Sequence, residues 1–187
     1  MNNIKFSQKT KEFLTGAHRG GGDKYPMEYL PLLEAGHVLA IASNTSPCTT
    51  TEACVRIAQK VEEFKTSRNP SLLAEAGAIA AVNLFKNLYD CMGLTALHFK
   101  QGAEKYGFNN WQKGMPVMVY IGSLSRHLFK FLAGWTDEPH ETAIMWNILA
   151  LMWTVQNKPE MNDLLTFNET TEPSKCVMDV KIKNSKS

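Results

Sequence analysis

The sequence predicts an all-α protein, a compact bundle of about five to six helices, on three observations. Apolar residues recur three and four apart along most of the chain, while proline, glycine and short polar runs punctuate those stretches at helix-like intervals. No stretch alternates apolar and polar residues as a half-buried strand would. The 187 residues, 44% of them hydrophobic, suffice for one sizeable core and are few for two. One helical domain is expected over residues 26–167, after an arm at 1–25 and before a polar tail at 168–187.

The elements follow in order. Residues 15–25 mix glycine with His18, Arg19 and Lys24, which disfavours regular structure and suits a flexible loop that approaches an anion. After Pro26, the spacing of Leu30, Leu33, Val38 and Ile41 fits a first helix, closed by the polar run 43–51. Thr51 and Glu52 make a plausible helix start, and Cys54, Ile57, Ala58, Val61 and Phe64 then recur down one face. The next helix begins near residues 69–71, with Pro70 in its first turn, and runs to about Tyr89. It is apolar nearly all round, which predicts a central position.

A further helix is expected from Thr95 to Tyr106, stopped by Gly107. Beyond the polar loop 108–114, Pro116 opens a helix whose Val117, Tyr120, Leu124, Leu128 and Phe131 form a stripe ended by Gly134. The last strong helix starts around Asp137 and continues through Trp146, Leu149 and Trp153 to about Asn157, with both tryptophans read as core.

Composition limits function. A formal charge of +2 and a pI near 8.3 provide no electrostatic grip on duplex nucleic acid, so no stable nucleic-acid binding is expected. No stretch is apolar for long enough to span a bilayer, and no membrane partner is expected. The four cysteines form no Cys-x-x-Cys pair, and the N-terminus lacks the apolar run of a signal peptide. Free thiols in a cytoplasmic protein are the expectation.

The residues that suggest chemistry lie on the last two helices. Arg126 and His127 precede Gly134, and Asp137, Glu138, His140, Glu141 and Asn147 follow it. A tight antiparallel hairpin is implied. Counting from a turn near Trp135 sets His127 level with Ala143, between His140 and Asn147, which share a face. A cation carrying a triphosphate needs hard oxygen ligands, sometimes with imidazole, and basic groups for the remaining phosphate charge. Asp137, Glu138 and the Asn147 oxygen suit the first role; Arg126, Lys105, Arg19 or Lys24 suit the second. His127 or His140 could ligate the cation or move a proton. The same acidic pair is also what a helix N-terminus favours, and a lone histidine on a helix is often structural.

The loop Lys105, Tyr106, Gly107, Phe108, Asn109, Asn110, Trp111 concentrates amide, aromatic and basic groups that suit the edge and face of a purine. An ordinary helix cap and turn would use the same residues.

At these positions the chain resembles the phage dATP/dGTP diphosphohydrolase N-terminal domain family, related to MazG-like all-α nucleotide pyrophosphohydrolases. The similar segments are Thr15 to Arg19, Lys24 to Pro31, Gly102 to Pro116, Arg126-His127-Leu128, Asp137 to His140, Ala143 and Trp146-Asn147. The resemblance implies hydrolysis of a purine deoxynucleoside triphosphate to monophosphate and pyrophosphate with Mg2+ or Mn2+, in a phage-infected host cell. It nominates Glu104, Lys105, Asn110, Arg126, His127, Asp137, Glu138, His140 and Asn147 for the site, and by analogy a homo-oligomer. Residues 43–92 exceed the length expected between the matching segments and read as an inserted helical pair. The competing expectations are a non-catalytic protein that sequesters a nucleotide and a helical factor acting on a host protein.

Overall fold

The computed structural model describes residues 24–164 and, ahead of them, the backbone of two short strands, β1 (Lys11–Glu12) and β2 (His18–Arg19), paired antiparallel. That two-residue ladder is the one departure from the all-α expectation among the described residues. The rest of the expected arm and the expected tail lie outside them.

Six helices form the body: α1 (Leu32–Ala42), α2 (Thr50–Ser67), α3 (Ser71–Asn83), α4 (Leu88–Tyr106), α5 (Val117–Leu132) and α6 (His140–Asn157). Short 3-10 turns stand at Met27–Tyr29, Asn110–Lys113 and Pro159–Met161. The Thr49 side chain accepts from the Glu52 amide at 3.2 Å and starts α2, which stops at Arg68 in left-handed conformation (φ 60°). The alanine-rich α3 is buried on almost every side and packs on α1, α2 and α6, as its unbroken apolarity predicts. Small side chains permit that closeness: a Cβ on Gly77 would stand 2.7 Å from Val38 Cγ2 and 3.3 Å from Ile148 Cγ2.

The boundary between α3 and α4 differs from expectation. The helix expected to run to about Tyr89 ends at Asn83, and the one expected from Thr95 begins at Leu88. The cause is local: Asn87 sits in extended backbone with its side chain accepting from the Asp90 amide at 2.8 Å, and Asn87 Nδ2 donates to Asp90 Oδ2. A cap of that kind starts a helix wherever it falls, and apolar periodicity continuing across it hides the break. The added turns give α4 the length to carry both the Tyr25 anchor and the site. Tyr25 packs on Gly93 so closely that a Cβ there would lie 1.9 Å from its ring, while its hydroxyl donates to Asp90 Oδ1 at 3.3 Å.

The antiparallel hairpin forms as anticipated, but in another register: His127 meets His140 instead of lying level with Ala143. In α5, buried Val117, Tyr120, Ile121, Leu124, His127 and Leu128 form one stripe against α6. Across it Thr154 Oγ1 donates to the Tyr120 hydroxyl at 3.1 Å, and Asp163 accepts from the Met118 amide at the start of α5. Gly134 takes φ 72° and the Trp135 amide returns to the Lys130 carbonyl, which closes α5. The helix expected from about Asp137 starts at His140; Asp137 and Glu138 belong to the turn before it. No helix among the described residues is long and apolar enough to cross a membrane.

Candidate functional site

The hairpin turn gathers a cluster of titratable groups. His127 Nδ1 and His140 Nδ1 face each other at 3.2 Å, and Glu138 Oε1 stands 3.5 Å from the first and 3.8 Å from the second. Both imidazoles are buried, whereas Glu138 is exposed on one side. On the outer edge of His140, Nε2 lies 2.9 Å from Asp137 Oδ1. An ionised carboxylate only accepts, so His140 donates from Nε2, and in the neutral ring Nδ1 then carries the lone pair on the side of His127 and Glu138. Asp137 thus fixes the tautomer of an inward-facing histidine, the arrangement that prepares imidazole to bind a metal.

The dimensions suit a small divalent cation. A triangle with sides 3.2, 3.5 and 3.8 Å has its equidistant point about 2.0 Å from each corner, the length of a bond from such a cation to imidazole nitrogen or carboxylate oxygen. His127, Glu138 and His140 are therefore the residues that would hold it. Burial pushes the His127 imidazole below its ordinary value, opposed by Glu138 and reinforced by the positive charges nearby, which keeps it neutral and able to donate its lone pair at neutral pH.

Lys130, on α5 one turn beyond His127, was not singled out by the sequence reading. Its ammonium lies 2.6 Å from Asp137 Oδ2 and 3.8 Å from Glu138 Oε1, and it sits over the Trp135 ring at 5.1 Å. Its hydrogen bond holds the Asp137 carboxyl below the usual carboxylate range. The three-residue spacing from His127 was the available signal, since both side chains then lie on the same side of α5.

Beside the cluster opens a cavity of about 740 Å³ between the C-terminal half of α4, the 110–113 turn and α6. Glu138 lines it as well as belonging to the cluster. Aromatic rings form much of its wall: Phe99 packs 5.1 Å from Trp111 and 5.5 Å from Trp146, centroid to centroid, and Trp111 meets Trp153 edge to face at 5.1 Å. Gly107 (φ 98°), Asn109 (φ 56°) and Gly114 (φ 85°) turn the chain sharply enough to fold the 110–113 segment back over α4.

Some of the sequence-nominated residues fall in these two places and others in neither. His127, Asp137, Glu138 and His140 come together in the cluster. Lys105, Tyr106, Asn110 and Trp111 line the cavity, with Lys105 Nζ 4.9 Å from the Tyr106 ring centre. Asn109 forms the left-handed turn residue beside it. Glu104 is exposed and pairs with Lys100 at 3.1 Å, away from the cluster. Arg126 is exposed and donates to Ser123 Oγ at 3.3 Å. Asn147 is buried two turns along α6 from His140; its Nδ2 donates to the Ala143 carbonyl and its Oδ1 has no hydrogen-bond partner among the described residues. Lys24 is exposed ahead of the Met27–Tyr29 turn, and the Arg19 side chain lies outside the described residues. Trp146, expected in the core, is half-buried and faces the cavity.

Residues 80–164 match the family described as dATP/dGTP diphosphohydrolase, N-terminal. Over that segment the family resemblance drawn from the sequence holds. The segment begins late in α3, within the 43–92 stretch read as an insertion, and contains every residue of the cluster and of the cavity wall. No curated protein and no solved structure matches the chain.

Proposed function

We propose that this protein hydrolyses a purine deoxynucleoside triphosphate to monophosphate and pyrophosphate, holding the base in the α4 cavity and the phosphates at the hairpin cluster. The observation that carries this reading is the double position of Glu138, which completes the His127–His140 triangle and also lines the aromatic cavity. A ligand with a flat apolar end and a polyanionic end fits a site built that way. The family match supports the substrate class.

Each residue then has a task. Trp111, Tyr106 and Trp146 offer faces to a base, and the Asn110 amide can read its edge. Lys105 and Lys130 offset phosphate charge from two sides. Asp137 holds His140 in its ligand tautomer. A divalent cation bound by His127, Glu138 and His140 would supply charge neutralisation and an acidified water. Two imidazoles among three donors favour Mn2+ over Mg2+, which prefers an all-oxygen shell.

The direct test incubates the protein with each deoxynucleoside triphosphate and Mn2+ or Mg2+, then assays pyrophosphate. Turnover of dATP or dGTP, faster with Mn2+, is expected. Recovery of intact bound nucleotide with no pyrophosphate under either metal would instead identify a sequestering protein.

A further inference from the structure

His98 lies on α4 and lines the cavity together with Glu138, and its ring centre is 6.0 Å from that of Trp146. No hydrogen bond holds the His98 ring within the described residues. It stands apart from the three atoms that form the cation triangle. Burial drives its imidazole below the ordinary histidine range, with Glu138 opposing more weakly, so the ring is neutral at physiological pH and presents one N–H donor and one acceptor. The ring is half-buried on a wall shared by aromatic and polar side chains, where its N–H is open to a ligand that accepts a hydrogen bond.

Resting on the nucleotide reading above, we propose that His98 binds the phosphate nearest the sugar, where base and polyphosphate join. The position follows from its neighbours: His98 lies beside Trp146, the wall proposed for the base, in the same cavity that Glu138 of the cation cluster lines. A hydrogen bond donated there would hold the α-phosphate, one side of the α–β bridge that hydrolysis to monophosphate and pyrophosphate breaks. His98 is thus a substrate-positioning contact, separate from the cation ligands.

The variant His98→Phe keeps a ring against Trp146 and removes both nitrogens; His98→Ala checks that the added ring is not itself the cause. Calorimetric titration of the full chain compares three probes: Mn2+ alone, dGMP, and deoxyguanosine. Both variants are expected to weaken dGMP by about tenfold or more, the scale of a hydrogen bond to a charged group. Binding of deoxyguanosine and of Mn2+ should stay within about twofold. Equal losses for dGMP and deoxyguanosine would make His98 a base contact and overturn the proposal. Loss of Mn2+ affinity would make it a metal ligand, and unchanged dGMP binding would make it a wall residue; either overturns it too. If the unmodified protein binds neither dGMP nor deoxyguanosine, the nucleotide reading itself fails, a result separable from all three.

Discussion

In the hairpin cluster, His127, Lys130, Asp137, Glu138 and His140 are held by hydrogen bonds and ion pairs of 2.6–3.8 Å. In the cavity beside it, Phe99, Trp111 and Trp146 meet at ring separations above 5 Å and no charge fixes any of them. On the proposed function the contrast matches a cation on one side and a base on the other. A cation demands donor atoms placed to tenths of an ångström, which two elements and an outer carboxylate would supply. A base presents a broad π-face that tolerates tilt, and a wall of rings built largely from α4 and its following turn suffices.

That difference can be broken on either side. The largest effect is expected from His140→Ala, which removes a ligand and its support together. Mn2+ affinity should fall by more than the roughly 10–100-fold that outer-shell changes cost, with deoxynucleoside binding retained. Because His140 is fully buried, Asp137→Asn serves as the gentler probe; it leaves an exposed position intact and should weaken Mn2+ within that 10–100-fold range in titration calorimetry. If both variants bind Mn2+ as the unmodified protein does, the triangle is not a metal site.

A smaller loss is expected on the cavity side. Trp111→Ala should weaken nucleotide binding by roughly 5- to 150-fold, the value of one base–aromatic stack. Mn2+ binding should be unchanged, and Tyr106→Ala, at an exposed ring, gives a parallel reading with less risk to the core that Trp111 shares with Phe99 and Trp153. Should Mn2+ affinity fall in step with nucleotide affinity, the two halves are not separable as described.

The smallest expected effect is one of pH. The His98 imidazole is lowered from its ordinary value of 6.5 by burial, so the unfolded chain takes up protons first as pH falls. Its contribution to stability is fully present above 6.5 and is lost as pH drops from there through the folded value. Melting temperature should therefore decline between pH 7.5 and 5.5 more steeply in the unmodified protein than in His98→Phe. Parallel curves would mean that His98 is solvated in the folded state.

Much of this was legible before the coordinates, and the exceptions share a cause. Helix spacing, the glycine stops at 107 and 134, and the gathering of His127, Glu138 and His140 at one hairpin all follow from local chemistry that any fold must respect. The break between α3 and α4 was equally local, written in Asn87 and Asp90, and was obscured only because apolar periodicity runs on through it. Register was not legible. Counting from Trp135 sets His127 level with Ala143, whereas the pairing centres between Ala133 and Gly134 and brings His127 to His140.

What the sequence alone determined is the helical architecture, the family resemblance that the match over residues 80–164 supports, and the residue types available to the site. Tertiary structure decided which of them meet: that Glu104 and Arg126 face solvent, that Asp137 serves His140 and Lys130, and that His98 and Lys130 join the site at all. The physical reason is that period and capping act within a few residues. The offset of one helix along another is set by how their side chains interlock and by the path of the turn between them, and a shift of three residues exchanges every partner across the seam.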